Sequence, residues 1–124
     1  RSRRQRQMCI RDSCDTVEIY EAPIDAMSGA TLRQYKHDAP WRSVHYLALG
    51  GLNHQPIDYF LQQHPEVRYV SLCFDRDDPG RNFTKIVAKR LAERGYIVQD
   101  TPPAIGKDYN DYLLAARRLI SMER

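Results

Sequence analysis

The sequence predicts an α/β fold in which a four-stranded, mainly parallel sheet carries helices on both faces. Four short runs of β-branched and aromatic residues alternate with four segments of helical spacing along the 124 residues. This alternation is typical of parallel strands joined by right-handed helical crossovers. The composition, 42% hydrophobic and 28% charged, is that of a globular domain, and no apolar stretch is long enough to cross a membrane.

The first two strands and the helix between them are predicted from residue type and spacing. Residues 16–20 and 44–49 carry the β-branched and aromatic side chains that suit a pleated, half-buried surface. Pro23 begins the first helix, because a proline at the first helical position loses no hydrogen bond. The helix is expected to reach about residue 35, with a buried face formed by Ile24, Met27 and then Thr31 or Leu32.

The second half of the chain repeats the pattern. A second helix covers residues 56–63, where His64 and Pro65 stop it, and strands are expected at 69–74 and 96–98. Pro79 begins the third helix and Gly95 is its expected C-cap. Its predicted apolar stripe is Phe83, Ile86, Val87 and Leu91. The fourth helix is expected from about residue 108 to 122, with Tyr112, Leu113, Ala116 and Ile120 facing inwards.

The first 15 residues differ from the rest in composition, and we interpret them as a basic tail or a linker from a preceding domain, with the folded domain at 16–124. The net charge is +3, and the four arginines within the first six residues alone supply +4: Arg1, Arg3, Arg4 and Arg6. Because the chain begins with Arg1 rather than Met, we expect it to be a segment of a longer protein. No apolar stretch of a secretory signal follows, which predicts a cytoplasmic location.

Carboxylates follow two of the predicted strands. Glu21 comes directly after the first strand, and Asp75 and Asp77 come after the third. Residues two apart point to the same side of an extended segment, and ligands of parallel α/β folds bind where the strands end. Like charges at close range repel, and a cation is the simplest remedy. The three oxygen donors therefore predict a Mg²⁺ site, with Mn²⁺ as a substitute.

Other polar residues have structural interpretations. An acidic residue after a strand can simply cap the next helix, and Asp78 stands directly before Pro79, where a cap is needed. Four histidines show no metal-ligand spacing, so we expect them to be surface residues or satisfied structural residues. They are His37, His45, His54 and His64.

Three segments, in this order, resemble the motifs of a Toprim domain: YEAPID at 20–25, FDRDDPGR at 74–81 and GKDYND at 106–111. Toprim domains are the catalytic modules of bacterial primases, type IA and type II topoisomerases, certain nucleases and recombination mediators. The likeness covers about residues 16–115 and is greatest to Toprim-like domains of bacterial plasmid and conjugative-element proteins. It implies a Rossmann-like three-layer sandwich with strand order 2-1-3-4.

The resemblance also implies a function, Mg²⁺-dependent phosphoryl transfer on nucleic-acid phosphodiesters. This would be primase-like nucleotidyl transfer or DNA nicking, within a larger mobile-element protein whose partners are DNA or RNA and its own other domains. Glu21 would be the acid/base or metal-facing carboxylate, and Asp75 and Asp77 the metal ligands. Supporting roles are implied for Asp25, Asp78, Lys107 and Asp108, while nucleic-acid binding is expected of Arg76, Arg81 and Lys85.

Two other functions fit the same residues. In a phosphoaspartyl or receiver-like domain, Asp75 would be phosphorylated and Lys107 would pair with the phosphate. Receivers carry an acidic pair on their first strand, however, where this chain has only Glu21. A non-catalytic module that docks nucleic acid or a partner protein is the other alternative, with the basic tail supplying affinity.

Overall fold

The computed structural model of the chain describes residues 14–36 and 43–122. All eight predicted elements are present there, with ends within two residues of those expected. The strands are β1 (Thr16–Tyr20), β2 (His45–Ala48), β3 (Tyr69–Leu72) and β4 (Ile97–Asp100). The helices are α1 (Pro23–Lys36), α2 (Gln55–Gln63), α3 (Asp78–Glu93) and α4 (Tyr109–Met122). Within these ranges no helix combines the length and the apolar character that a membrane span requires.

The four strands form one parallel sheet in the order β2-β1-β3-β4, as predicted. The central pair, β1 and β3, is aligned so that Ile19 lies beside Leu72. Pairing continues past the end of β3, where the N–H of Cys73 donates to the carbonyl of Ile19 at 2.8 Å. The chain therefore leaves β1 and β3 side by side, at the point where the direction of strand addition reverses.

Alternation along β1 divides the core between the two faces of the sheet. On one face, Val17 and Ile19 pack against the apolar side chains of α2 and α3, which are Ile57, Leu61, Val87 and Leu91. On the other face, Tyr20 packs against Leu32 of α1, Tyr109 of α4 and Cys73. Each fully buried aliphatic side chain contributes roughly 1.5–3 kcal/mol. Helices thus cover both faces, which is the predicted three-layer arrangement.

Helix α1 buries a different face from the predicted one. Ile24 and Met27 are 57% and 71% exposed, whereas Asp25 is buried. The reason is Gly29, because a Cβ atom at this position would lie 2.0 Å from the Tyr20 hydroxyl oxygen. The side of α1 that lacks a side chain turns towards the sheet and carries Ile24 and Met27 to the surface. Ile86 of α3 and Ile120 of α4 were also expected to face the core, but they are 62% and 38% exposed.

The predicted tail lies outside the described residues, except for Cys14 and Asp15. Cys14 is buried, and the carbonyl of Asp15 accepts hydrogen bonds from the N–H groups of Arg68 at 2.8 Å and Tyr69 at 3.0 Å. These two residues are thus packed at the start of β3. The domain boundary at residue 16 stays a prediction, and His37 also lies outside the described residues.

Candidate active site

Glu21, Asp75 and Asp77 meet at the carboxyl edge of the sheet. Glu21 directly follows β1, and the two aspartates lie in the loop between β3 and α3. Because β1 and β3 are neighbours, one carboxylate oxygen from each residue lies within 4.8 Å of the oxygens of the other two. All three residues are half-buried. The fold thus brings together the three residues that the sequence predicts as metal ligands, and we call them the carboxyl-edge cluster.

A hydrogen bond between the two loops orients Glu21. The N–H of Asp75 donates to Oε2 of Glu21 at 2.8 Å. Burial raises the pKa of Glu21, this hydrogen bond opposes part of the rise, and repulsion from Asp77 and Asp25 adds to it. Glu21 therefore retains a proton to higher pH than a carboxyl group in water does.

Of the three residues in the cluster, Asp75 has the most strongly raised pKa. Burial raises the pKa of Asp75 to about 7, and repulsion from Glu21, Asp25, Asp108 and Asp77 contributes to the rise. None of the described residues donates a hydrogen bond to its side chain. Ionisation of Asp75 at neutral pH is thus unfavourable, and a nearby cation would relieve it.

Asp77 caps helix α3 while it faces the cluster. Its Oδ1 accepts the N–H of Gly80 at 2.8 Å, which makes Asp77 the N-cap. The sequence assigned this role to Asp78, which is instead exposed in the first turn of α3. The helix begins one residue earlier than expected because Pro79 is tolerated anywhere in the first turn, where N–H groups have no helical partner.

Gly80 lets α3 begin against the backbone of the Asp75 loop. A Cβ atom at this position would lie 2.3 Å from the carbonyl oxygen of Asp75 and 2.9 Å from Oδ1 of Asp77. Contacts this short exclude any side chain unless the loop moves. The glycine of the FDRDDPGR segment therefore fixes the distance between the helix and the two aspartates.

The amino end of α4 closes the other side of the site. Oδ1 of the buried Asp25 accepts the N–H of Asn110 at 3.3 Å. Asp108 accepts the N–H of Asp111 at 2.8 Å, and Asp111 accepts the N–H of Lys107 at 3.1 Å. Burial raises the pKa of Asp25, the Asn110 N–H opposes part of the rise, and Asp108 and Asp111 add to it. Asp25 and Asp108 thus hold the loops that surround the cluster.

Asn110 and Asp111 take part in this arrangement, and sequence analysis did not assign them a role. Asp111 could have been found from its spacing, since an acidic residue three positions after Asp108 is the pattern of reciprocal capping at a helix start. The contribution of Asn110 comes from its backbone N–H. A contact made by the backbone cannot be predicted from the type of the residue, because almost every residue has the same N–H group.

The residues predicted to bind nucleic acid differ in setting. Arg76 is exposed, and its Nε donates to the carbonyl of Pro103 at 2.6 Å. Lys85 is exposed on α3. Lys107, predicted to lie at the rim, is 61% exposed, and its Nζ lies 3.5 Å from Oδ2 of Asp77. The backbone N–H of Arg76 donates to the carbonyl of Lys107 at 2.8 Å, so the backbones of these two residues are adjacent.

Arg81 is engaged in contacts within the protein. Its guanidinium donates to Oδ2 of Asp100 at 2.9 Å and to the carbonyl oxygen of Asp75 at 3.4 Å. Binding of a phosphate by Arg81 stays a prediction. Within residues 14–36 and 43–122, no arginine contacts the carboxylates of the carboxyl-edge cluster. The cluster is therefore not neutralised by arginine pairing in this part of the chain.

The donor set fits Mg²⁺. Carboxylate oxygens are the hard donors that this cation takes from proteins, together with water and phosphate oxygens. In both Glu21 and Asp77 a backbone N–H holds one oxygen and thereby fixes the direction of the other. Carboxylates oriented in this way lose little freedom on binding a cation.

This chain is a parallel α/β domain with three carboxylates at the ends of its two central strands. A protein-family model described as Toprim-like matches residues 18–113. The chain belongs to the Toprim-like family, as its motifs indicated. No curated protein matches it.

Two solved structures share the fold. The primase fragment of the bacteriophage T7 primase-helicase protein matches with a TM-score of 0.59 and 20% identity, over 88% of this chain and 42% of that one. A protein from Aquifex aeolicus matches with a TM-score of 0.50 and 15% identity, over 92% of this chain and 89% of that one. This chain thus spans less than half of the T7 fragment, and at these identities the likeness concerns the fold alone.

Proposed function

We propose that this Toprim-like domain performs Mg²⁺-dependent chemistry on nucleic-acid phosphodiester bonds, as primase-like nucleotidyl transfer or as cleavage. The observation that carries the proposal is the convergence of Glu21, Asp75 and Asp77 within 4.8 Å of one another. Three like charges at this distance are unfavourable unless a cation compensates them. Membership of the Toprim-like family, over residues 18–113, supports the same conclusion.

The three carboxylates have distinct tasks in this proposal. Asp75 and Asp77 hold the cation, and the Gly80 N–H keeps Asp77 in the required orientation. A bound Mg²⁺ supplies neutralisation of the charge on a phosphoryl group. Glu21, whose pKa is raised mainly by burial, exchanges a proton with the attacking or leaving oxygen.

The rim of the site offers a surface for the nucleic-acid backbone. Lys107 and Arg76 are adjacent and exposed beside the cluster, and Lys85 is exposed on the helix that begins there. Phosphate groups bind such cations, and the affinity falls steeply with salt. We propose that DNA or RNA approaches the cluster across these three side chains.

We further propose that the domain works within a larger DNA-processing protein of a mobile element, in the cytoplasm of a bacterium. The T7 primase fragment supports the first point, since a chain of this size covers only 42% of it. Other domains of the parent protein would then be direct partners.

The test is an activity assay with the purified chain on single-stranded and duplex DNA, with Mg²⁺ or Mn²⁺, for cleavage and for primer synthesis. We expect metal-dependent product from the wild type and a loss of at least about 100-fold in Glu21→Gln and Asp75→Asn. Glu93→Gln is the matched control, since Glu93 lies at the far end of the 16-residue α3, roughly 20 Å from the site. Equal product from all four proteins, or from none, contradicts the proposal.

A further inference from the structure

We propose that His45, His64 and Glu66 form a second metal site, for Zn²⁺, at the opposite edge of the sheet. His45 is the first residue of β2, His64 directly follows α2, and Glu66 lies in the loop that leads to β3. One ligand atom from each residue lies within 4.8 Å of those of the other two. The three residues surround the amino ends of the strands, whereas the carboxyl-edge cluster lies at the other ends. This inference is therefore independent of the proposed function.

Two of the three distances between ligand atoms are those expected of atoms bound to one zinc ion. Oε2 of Glu66 lies 3.3 Å from Nε2 of His45 and 3.2 Å from Nδ1 of His64. Zinc bonds of roughly 2.0–2.1 Å in tetrahedral geometry place neighbouring ligand atoms about 3.3 Å apart. Imidazole nitrogens and a carboxylate oxygen are ordinary zinc ligands. The triad therefore matches zinc in both chemistry and dimensions.

The environment of His45 favours a role as a cation ligand. Its side chain is only 11% exposed, and its Nε2 is buried with no hydrogen-bond partner in the described part of the chain. The ring also forms a hydrogen bond with the backbone of Cys14. When Nδ1 carries the proton, Nε2 has a lone pair that faces a carboxylate oxygen.

Two acceptors in contact without a proton repel each other, and a buried polar atom without a partner costs about 1–3 kcal/mol. A hydrogen bond accounts for the contact between His64 and Glu66. The same oxygen of Glu66 also lies 3.3 Å from Nε2 of His45, so one carboxylate oxygen faces both imidazoles. A cation among the three atoms removes the repulsion between the acceptors and gives the buried nitrogen a partner. Metal-ligating histidines commonly bond through their second nitrogen to the backbone, and the ring of His45 has a backbone hydrogen bond, to Cys14.

Aromatic packing holds the two imidazoles in place. The ring of Phe60 stacks on His64 with centroids 4.2 Å apart and meets the edge of His45 at 5.4 Å. Phe60 itself packs against the core of the domain. Rings fixed in this way give up little conformational freedom on binding, which favours affinity.

Ligand chemistry distinguishes this triad from the carboxyl-edge cluster. Imidazole nitrogens favour zinc and other transition metals, whereas an all-carboxylate set suits Mg²⁺. Three protein ligands leave the fourth tetrahedral position for water or another ligand. A zinc ion bound here ties the start of β2 to the loop before β3.

The test is Zn²⁺ binding by the intact chain in the presence of excess Mg²⁺, measured by isothermal titration calorimetry and by the visible absorption of Co²⁺ as a substitute. We expect one Zn²⁺ per chain and an affinity at least about tenfold lower in His64→Ala and in Glu66→Gln. His54→Ala is the matched control, because His54 also contacts a carboxylate, at 3.1 Å from Asp58, but belongs to no candidate metal cluster among the described residues. This control and Asp75→Asn should bind Zn²⁺ like the wild type.

Circular dichroism establishes that each variant is folded. Glu66→Gln preserves the shape of the side chain, so it tests the site even if His64→Ala unfolds. Zn²⁺ should also raise the melting temperature of the wild type and leave that of Glu66→Gln unchanged. Absence of Zn²⁺ binding by the wild type, equal binding by Glu66→Gln, or a loss of binding in His54→Ala overturns the proposal.

Discussion

The ionised side chain of Asp75 destabilises the folded state. Burial, assisted by repulsion from Glu21, raises the pKa of Asp75 to about 7. An aspartate in an unfolded chain has a pKa of about 3.9. The folded state thus binds this proton more tightly than the unfolded state. The cost to stability is absent below about pH 4, grows as Asp75 ionises in the unfolded chain, and is complete above about pH 7.

The substitution Asp75→Asn should therefore stabilise the metal-free protein at neutral pH. We expect the free energy of unfolding to rise by about 1 kcal/mol, a value that allows for solvent screening at a half-buried position. The gain should disappear as the pH falls towards about 4. Thermal unfolding in the presence of a chelator, followed by circular dichroism across this pH range, measures it. Asp78→Asn, an exposed neighbour, should give no gain, and a gain for Asp75→Asn that does not vary with pH would contradict this account.

Individual residues differ in how far the sequence could predict them. Glu21, Asp75 and Asp77 were predicted to share an edge because each lies just after a strand, and strand ends are visible in a single sequence. His45 and His64 were expected to be structural or surface residues. His64 and Glu66 are two residues apart, but His45 joins them only because the fold brings β2 beside the end of α2, and no local spacing encodes that approach.

At the scale of the elements, Asp77 combines a structural and a chemical role, and two substitutions separate them. Asparagine caps helices as well as aspartate does, so Asp77→Asn should keep the wild-type free energy of unfolding. Asp77→Ala loses the hydrogen bond to Gly80 and should cost about 1 kcal/mol. Both should lose metal-dependent activity. Denaturant unfolding and the DNA assay measure the two effects, and full activity in Asp77→Asn would show that the charge is not needed.

The close approach of α3 to the Asp75 loop gives a further prediction. Gly80→Ala should lower the free energy of unfolding by about 2 kcal/mol, because steric overlap with backbone atoms outweighs the better helix propensity of alanine. Activity should fall as well, since the loop must shift. Asn82→Ala, at an exposed position two residues further along α3, is the control and should leave stability unchanged or slightly higher. Equal stability of both variants would contradict the close contact.

Helix boundaries were easier to predict than helix faces. Prolines mark the starts of α1 to α3, and Pro65 and Gly95 follow the ends of α2 and α3. The face of α1 depends instead on the contact between Gly29 and Tyr20, which are on different elements. Apolar spacing favoured Ile24 and Met27 for the core, and the close approach of Gly29 to the sheet decided otherwise.

For the molecule as a whole, alternation of strands and helices was enough to predict a parallel three-layer fold. The strand order β2-β1-β3-β4 followed from the resemblance and from the requirement that Glu21 and Asp75 meet. The sheet then presents different chemistry at its two edges, carboxylates where the strands end and a histidine pair with a glutamate where they begin. The second edge was not predicted, because His45 of β2 is separated along the chain from His64 and Glu66, which lie close together after α2.

The central claim is that the carboxyl-edge cluster binds a divalent cation, and Mg²⁺ binding to the intact chain at neutral pH tests it most directly. Isothermal titration calorimetry should show saturable binding by the wild type and by Glu93→Gln. Binding should be at least about tenfold weaker in Asp75→Asn and in Asp77→Asn. Equal Mg²⁺ affinity in the wild type and in Asp75→Asn, or no binding by the wild type, would contradict the claim.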